Sequence, residues 1–510
     1  MFARVLSAAV LGVDAYIVEV ETDLESRLPS MTTVGLAEGA VRESKERVTS
    51  ALKNSGFALP QKRITFNLAP ADIRKEGTGF DLPMAIGILG AVGDIAQREL
   101  DRFVIVGELS LDGGLRPVRG VLPIVMAAAE LKFDGIIVPK DNASEAAIVE
   151  GIAVFPAETL RDVFDFLTGY RDLQPAPRTA LSDIVRHHSN GMDFSEVRGQ
   201  AHVKRALEIA AAGSHNVLML GPPGSGKTML ARRIPGILPD MTLDEALETT
   251  KIHSVAGMLN GSAPFVTTRP FRDPHHTISD VALIGGGMSP HPGEVSLAHN
   301  GVLFIDELPE LGKKNIEVLR QPMEDGSVTV SRVSYSANFP ASFMLIAAMN
   351  PCPCGYRTDP VHPCTCSQSA VERYLAKLSG PILDRIDIHV EVPPVKYRDL
   401  TDSVSTEESS RSVRRRVERA RAIQTGRFGD IERIHANSSM GPKEITVFCK
   451  LEDDGERIIH RAVERFGFSA RTYHRILKVA RTIADIDGSE SIGARHVAEA
   501  VQYRTLDRHL

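Results

Sequence analysis

Tryptophan is absent from the sequence, and aromatic residues make up only 5% of it. A surface built mainly for stacking nucleic-acid bases is thereby excluded. A basic excess is also missing: 59 Lys and Arg stand against 65 Asp and Glu, a net charge of −6. Any contact with nucleic acid must then come from a local patch and not from a chain-wide field. No stretch reaches the ~18 uninterrupted apolar residues that a membrane-spanning helix needs. The run Ala8–Val13 is short, and Asp14 stops it before any small-residue cleavage site, so it reads as the start of a strand and not as a signal peptide. These absences predict a cytoplasmic protein with no membrane partner, in a compartment where its five cysteines stay reduced. With 24% charged and 43% hydrophobic residues, the composition is globular and excludes wholesale disorder.

The 510 residues, at roughly 150 per domain, predict about three domains. Residues 1–170 carry short strand-like runs (Ala15–Glu21, Arg63–Leu68, Phe103–Val106, Gly135–Val138) between helical patterns such as Glu38–Asn54 and Leu82–Val92. That mixture predicts an α+β unit. Residues 171–192, with two prolines and little periodicity, read as a linker. Residues 193–395 alternate strand and helix like a nucleotide-binding α/β unit, and 396–510 read as helices forming a lid. Within the arginine-dense stretch Arg411–Arg421, Val413, Val417 and Ala420 recur at helical spacing. One face there should pack while the arginines stay in water.

The clearest chemistry lies in the middle block. An apolar run, Asn216–Leu220, leads into Gly221-Pro222-Pro223-Gly224-Ser225-Gly226-Lys227-Thr228 and then a helical stretch, Met229–Ile234. This is the phosphate-binding G-x-x-x-x-G-K-T loop in its strand–loop–helix setting. Its glycines let backbone N–H groups turn inward around phosphate, Lys227 neutralises β/γ charge, and Thr228 ligates Mg2+. A second buried-strand run, Gly301–Ile305, ends in Asp306-Glu307. Asp306 is suited to hold Mg2+ through water and Glu307 to polarise the attacking water. A third, Phe343–Met349, ends at Asn350, whose amide can orient water or sense the γ-phosphate without adding charge.

In this order of motifs the chain resembles an AAA+ ATPase. In finer detail it resembles the ComM/YifB family of the magnesium-chelatase-like branch. The detail lies in Arg198-Gly199-Gln200, Phe271-Arg272-Asp273-Pro274-His275-His276-Thr277, Pro292–Asn300 and Ser379–Asp387. The resemblance implies a ring homo-oligomer, usually a hexamer, with ATP and Mg2+ between neighbouring subunits. Arg385 then matches an arginine finger reaching the next protomer's γ-phosphate, and Arg471 matches the sensor-2 arginine of the lid. An always-charged planar donor suits the transferring phosphoryl group. The family further implies a hexameric DNA branch-migration helicase acting in recombination and natural transformation, with branched or single-stranded DNA as its partner. A chelatase-like ATPase that remodels a protein partner, without protease activity, is the alternative. Two inserts, Lys251–Arg272 and Ser327–Ser342, have room for β-hairpins. The second could project Arg332 or Tyr335 into a pore, or remain a solvated edge.

Cys352, Cys354, Cys364 and Cys366 follow a C-x-C-x9-C-x-C spacing with Gly355 at a tight turn. Zn2+ on four thiolates suits a reducing compartment, and free or redox-active thiols suit the tighter-than-usual C-x-C. His362 is an additional candidate ligand. His275 and His276, being adjacent, should point apart as on a strand and serve in hydrogen bonding. Cys449 reads as packing. In the first block, Gly107–Gly113 with Arg116-Pro117-Val118, and Arg74–Pro83, resemble the Lon-type protease fold. The serine position of that fold falls on Gly79 and the lysine position within Leu122–Val125, which has no lysine. Peptide hydrolysis needs both groups, so the domain should serve assembly or DNA binding. Arg42, Lys45, Arg47, Lys53, Lys62 and Arg63 could form a basic face there, or an ordinary solvated surface.

Overall fold

The computed structural model describes residues 1–36, 39–73, 75, 77–178, 191–259, 264–287, 290–332, 335–395, 407–429, 431 and 434–504. The front half is one seven-stranded sheet backed by helices. Its spine is an antiparallel ribbon, β1 (Phe2–Leu11) with β2 (Asp14–Glu25), in register from Phe2↔Asp23 to Leu11↔Asp14. Gly12 closes that ribbon at φ 67°, the positive φ that a two-residue hairpin turn requires. β3 (Ser30–Val34) and β4 (Arg63–Ala69) extend the sheet beyond β2, while β5 (Phe103–Ile105), β6 (Gly135–Pro139) and β7 (Ala153–Ala157) extend it beyond β1. α1 (Gly39–Asn54) packs on α2 (Asp81–Val92). Nearly every residue of α2 is buried, as an all-round apolar helix demands. α3 (Val121–Glu130) lies against β2 and β1.

The second half is built on a five-stranded parallel sheet, whose strands are near-continuous apolar runs because both faces are covered. In chain order they are β8 (Val217–Leu220), β9 (Phe271–Arg272), β10 (Val302–Ile305), β13 (Met344–Met349) and β14 (Ile388–Glu391). Their spatial order is β9-β10-β13-β8-β14, so the phosphate-loop strand β8 lies where the winding reverses, between β13 and β14. Such a switch point is where open α/β sheets take ligands. Strand alternation sends Val217 and Met219 to one apolar cluster, with α4 (Ala201–Gly213) and the C-terminal helices. Leu218 and Leu220 enter the other.

The helical C-terminus forms as expected: α8 (Ser410–Phe428), α9 (Asp453–Phe466), α10 (Ala470–Ile486) and α11 (Ala494–Gln502). Val413, Val417 and Ala420 are buried, and Arg411, Arg415 and Arg419 are exposed. The expectation that all the arginines stay in water is corrected by three of them, because α8 packs against both α4 and α10. Arg414 pairs with Glu418 at 2.7 Å and with Asp240. Arg416 bridges Glu208 and Glu408. Arg421 donates to the His435 carbonyl at 2.9 Å.

The expected hairpin over Lys251–Arg272 does not form among the described residues. Lys251–Val255 is instead the last turn of α5 (Leu243–Val255), started by a Thr242–Glu245 capping box and anchored by buried Ala246, Ile252 and Val255. Phe271–Arg272 is a parallel strand, and residues 260–263 lie outside the description. The second insert is a hairpin, β11 (Ser327–Arg332) with β12 (Tyr335–Pro340), paired from Ser327↔Pro340 to Arg332↔Tyr335. The side chains of Arg332 and Tyr335 lie outside the described residues. A two-residue ribbon, Gly285–Gly286 with His291–Pro292, had no sequence signal.

The two halves touch through α5. The Gly120 amide donates to the Ser254 carbonyl at 3.0 Å, and the Ser254 hydroxyl donates to buried Glu145. Gly12, at the tip of the long ribbon, abuts β12 so closely that a Cβ there would lie 3.1 Å from the Asn338 carbonyl oxygen.

Candidate functional site

Three strand ends converge at the C-terminal edge of the parallel sheet. β8 runs into the glycine-rich loop, whose Gly221 amide donates to the Met349 carbonyl of β13 at 3.2 Å. Gly221 must be glycine, because a Cβ would collide with the Val392 carbonyl. Gly224 (φ 75°) and Gly226 (φ 91°) face open space. The Ser225 hydroxyl is buried with no partner. The Lys227 ammonium donates back to the Gly221 and Pro222 carbonyls, at 2.8 and 2.9 Å, and to Asn350 Oδ1 at 3.2 Å. Burial pushes its pKa down, while Asp306 and Glu307 oppose that shift. The Thr228 hydroxyl donates to Asp306 Oδ2 at 2.7 Å, so the expected magnesium ligands already share one spot.

Glu307 follows in the left-handed region (φ 52°), which a non-glycine side chain adopts at a cost of about 1–3 kcal/mol. Its amide donates to Asp306 Oδ1 at 2.9 Å, which helps hold that turn. The half-exposed carboxylate lies 3.7 Å from His276 Nδ1. An open glycine cradle, an orphaned hydroxyl within it, a lysine and the Thr228–Asp306 pair together fit a magnesium-bound triphosphate.

Arg385 lies elsewhere. It precedes β14, and because all five strands are parallel it sits at the N-terminal edge, opposite the phosphate loop. Four residues of strand separate the edges by roughly 13 Å. Arg385 is buried, donates to the Pro381 carbonyl at 2.5 Å and pairs with Glu324, leaving Nε without a partner. Glu324 is a partner that the sequence did not reveal. Exposed Arg471, at the start of α10, lines the same cleft as Arg385. Asp387 ties this edge to the C-terminal helices. Burial opposes its ionisation, but Arg475, His215 and Lys478 overcome that and hold its carboxyl far below the usual range.

The adjacent histidines correct the expectation that they point apart. They sit in the turn after β9, not on the strand, and their ring centroids are 4.1 Å apart. His275 hydrogen-bonds Thr277 at 2.9 Å, whereas His276 faces Glu307. The Phe271–Thr277 motif is visible in the sequence, but nothing in it signals that approach. Arg272 of the same motif pairs with Glu294 at 2.6 Å, joining two family motifs distant in sequence.

The four clustered cysteines converge, their sulfurs all within 4.8 Å of one another. A tetrahedron with Zn–S bonds of ~2.3 Å has edges of about 3.8 Å, and the cluster fits that size. His362 is not part of it; its ring faces Asp359 at 3.5 Å. Cys449 is buried in the apolar cluster with the C-terminal helices. In the front half, Gly79 and Ile124 line one cavity of about 790 Å³, so the segments matched to the protease serine and lysine do meet. No lysine lines that cavity among the described residues, and its Thr78 hydroxyl is bound to Glu108. The basic face is broken where Arg47 turns inward to buried Asp81 at 2.6 Å.

Comparison with known proteins agrees with this architecture. Family models described as magnesium chelatase subunit ChlI match residues 193–400 and 20–142, and its C-terminal model matches 407–504. Fold and site thus define an AAA+ ATPase of the magnesium-chelatase type. Competence protein ComM of Haemophilus influenzae is 47% identical over all of this chain and 98% of its own. Protein YifB of Escherichia coli is 45% identical over 98% of this chain and 97% of its own. The chain belongs to the ComM/YifB family. Lon protease 2 of Bacillus subtilis is 29% identical over 148 residues, 28% of this chain and 25% of its own. Family membership implies ATP and Mg2+. No described helix is long and apolar enough to cross a membrane.

Proposed function

We propose that the protein is an ATP-hydrolysing motor, assembled as a ring and acting on branched or single-stranded DNA during recombination of incoming strands. One observation carries the ring: the phosphate loop, Asp306, Glu307 and Asn350 lie at one edge of the sheet, and Arg385 with Arg471 at the other. A complete hydrolysis site then takes one edge from each of two neighbouring subunits, and a closed ring, six-membered by family analogy, repeats that contact. The amides of Gly224, Ser225 and Gly226 and the Lys227 ammonium would bind the β- and γ-phosphates, and Thr228 and Asp306 would hold Mg2+. Glu307 accepts a proton from the attacking water, which Asn350 orients. The neighbour's Arg385 neutralises charge on the transferring group, and its Arg471 reports nucleotide state to the lid. Zn2+ on Cys352, Cys354, Cys364 and Cys366 completes the cofactor set.

Likeness to a competence protein over the whole chain supports DNA as the substrate and a cytoplasmic location. The test is the ATPase rate with and without junction DNA, compared with Lys227→Ala. Stimulation by the junction and its movement support the motor, and no stimulation by any DNA overturns it. The chelatase family models favour a second reading, an ATPase remodelling a protein partner. A stable complex with a chelatase partner in the absence of DNA binding would establish that one. A front cavity lacking the dyad lysine supports assembly or binding there and not proteolysis.

A further inference from the structure

The four-cysteine knuckle is anchored on the ATP site at both of its ends. At its start, Cys352 is buried two residues after Asn350, whose Oδ1 accepts from Lys227. At its far end, Cys366 leads into the helix Gln368–Leu375, whose buried Tyr374 accepts a hydrogen bond from the Asn350 backbone amide. Between these ends the turn at Gly355 (φ 87°) presses on the phosphate loop. A Cβ on Gly355 would lie 2.5 Å from Pro223 Cδ and 3.9 Å from Asn350 Cγ.

Within the knuckle the sulfurs are unlinked and close. Cys352 Sγ is 3.3 Å from Cys354 Sγ and 3.6 Å from Cys364 Sγ, and the Cys354 amide donates to Cys366 Sγ at 3.3 Å. The Gly355 and Arg357 amides point at the Cys352 sulfur, and the Tyr356 and Thr365 amides at that of Cys354. Amides directed at sulfur are the hydrogen-bond donors that suit a metal-bound thiolate. The sulfurs carry no disulfide, so without a cation nothing joins the four of them, and the segment between Asn350 and Tyr374 would lose that tie.

We infer that zinc at Cys352, Cys354, Cys364 and Cys366 is a positioning element of the ATPase: it sets Asn350 and the Pro223 face of the phosphate loop, and turnover depends on it. This rests on the ATPase reading above and adds a metal dependence to it. The knuckle touches no reacting atom, so its effect falls on the placement of Asn350 toward water. Binding by Lys227 and the loop amides should suffer less, because β8 and the following helix hold them independently. Loss of metal should therefore lower kcat more than it raises the KM for ATP.

The test uses the full-length protein purified under reductant. Bound zinc is quantified, kcat and KM for ATP are measured, the metal is released with an organomercurial, and thiols are regenerated before re-addition of Zn2+. The expected result is one zinc per chain, about a tenfold fall in kcat on release with a smaller change in KM, and recovery with Zn2+. Zinc bound and then released with kcat unchanged overturns the positioning role. A wild-type chain without zinc but at full activity overturns the metal site itself. A zinc-loaded chain that hydrolyses no ATP overturns the ATPase reading, a distinct outcome. Because Cys364→Ser could unfold the knuckle, Gly355→Ala serves as the second variant. It keeps all four thiols and places a methyl group against Pro223; it should retain zinc and lose several-fold in kcat, and full turnover with zinc retained overturns the coupling.

Discussion

Two clefts of this molecule share a plan and differ in content. Each lies beside a glycine-bearing segment in an α/β unit, one at Gly221–Thr228 and one at Gly77–Phe80. The phosphate loop keeps a lysine, a hydroxyl and an acid within hydrogen-bonding reach. The cavity beside Gly77–Phe80 is lined by Gly79 and Ile124, from the segments matched to a nucleophile and a base, and by no lysine among the described residues. Chemistry therefore follows side chains and not the fold that carries them. Backbone architecture survives once its reactive groups are gone, because buried apolar residues such as those of α2 maintain it independently.

The sharpest way to break this contrast is to empty the full cleft. Lys227→Ala should abolish turnover, while Glu307→Gln should bind ATP and hold it unhydrolysed, both read by nucleotide binding and phosphate release. Next in size, Arg385→Ala should leave nucleotide binding intact and lower turnover by ~10³-fold. Mixing it with Lys227→Ala should restore part of the rate, since each supplies the edge that the other lacks; no recovery would place Arg385 outside the neighbour's site.

A smaller effect is expected where the two clefted units meet. Burial raises the Glu145 pKa, although the Ser254 hydroxyl and the Leu122 amide oppose this. The folded chain thus binds the proton more tightly than the unfolded chain. This group's contribution to stability is full below the ordinary glutamate pKa and is lost as pH rises through the raised one. Glu145→Gln can still accept both hydrogen bonds, so its Tm should exceed wild type by about 2 °C at about pH 7.5, with the gap closing as pH falls through the raised pKa toward the ordinary glutamate range. A gap independent of pH would refute the assignment. Least of all, Gly79→Ser should change neither ATP turnover nor, in a fluorogenic-peptide assay, the absence of cleavage, because no lysine lines that cavity among the described residues.

What the sequence disclosed was local. The loop Gly221–Thr228, the acids after β10 and Asn350 after β13 are each contiguous with an apolar strand, and parallel pairing brings their ends together. Contacts between distant segments were not legible: Glu324 on Arg385, His276 beside Glu307 and Tyr374 against Asn350 depend on tertiary packing. The first insert misled because its Lys251–Val255 portion continues a helix capped upstream at Thr242. The arginines of α8 misled because a single amphipathic face does not anticipate packing on two sides.

The meeting of Gly12 with Asn338 has a mechanical meaning. Main chain rests there on main chain, with no compliant side group between them to absorb a push. A shift of the returning strand β12 toward the tip would therefore press directly on the turn of a ribbon ten paired residues long.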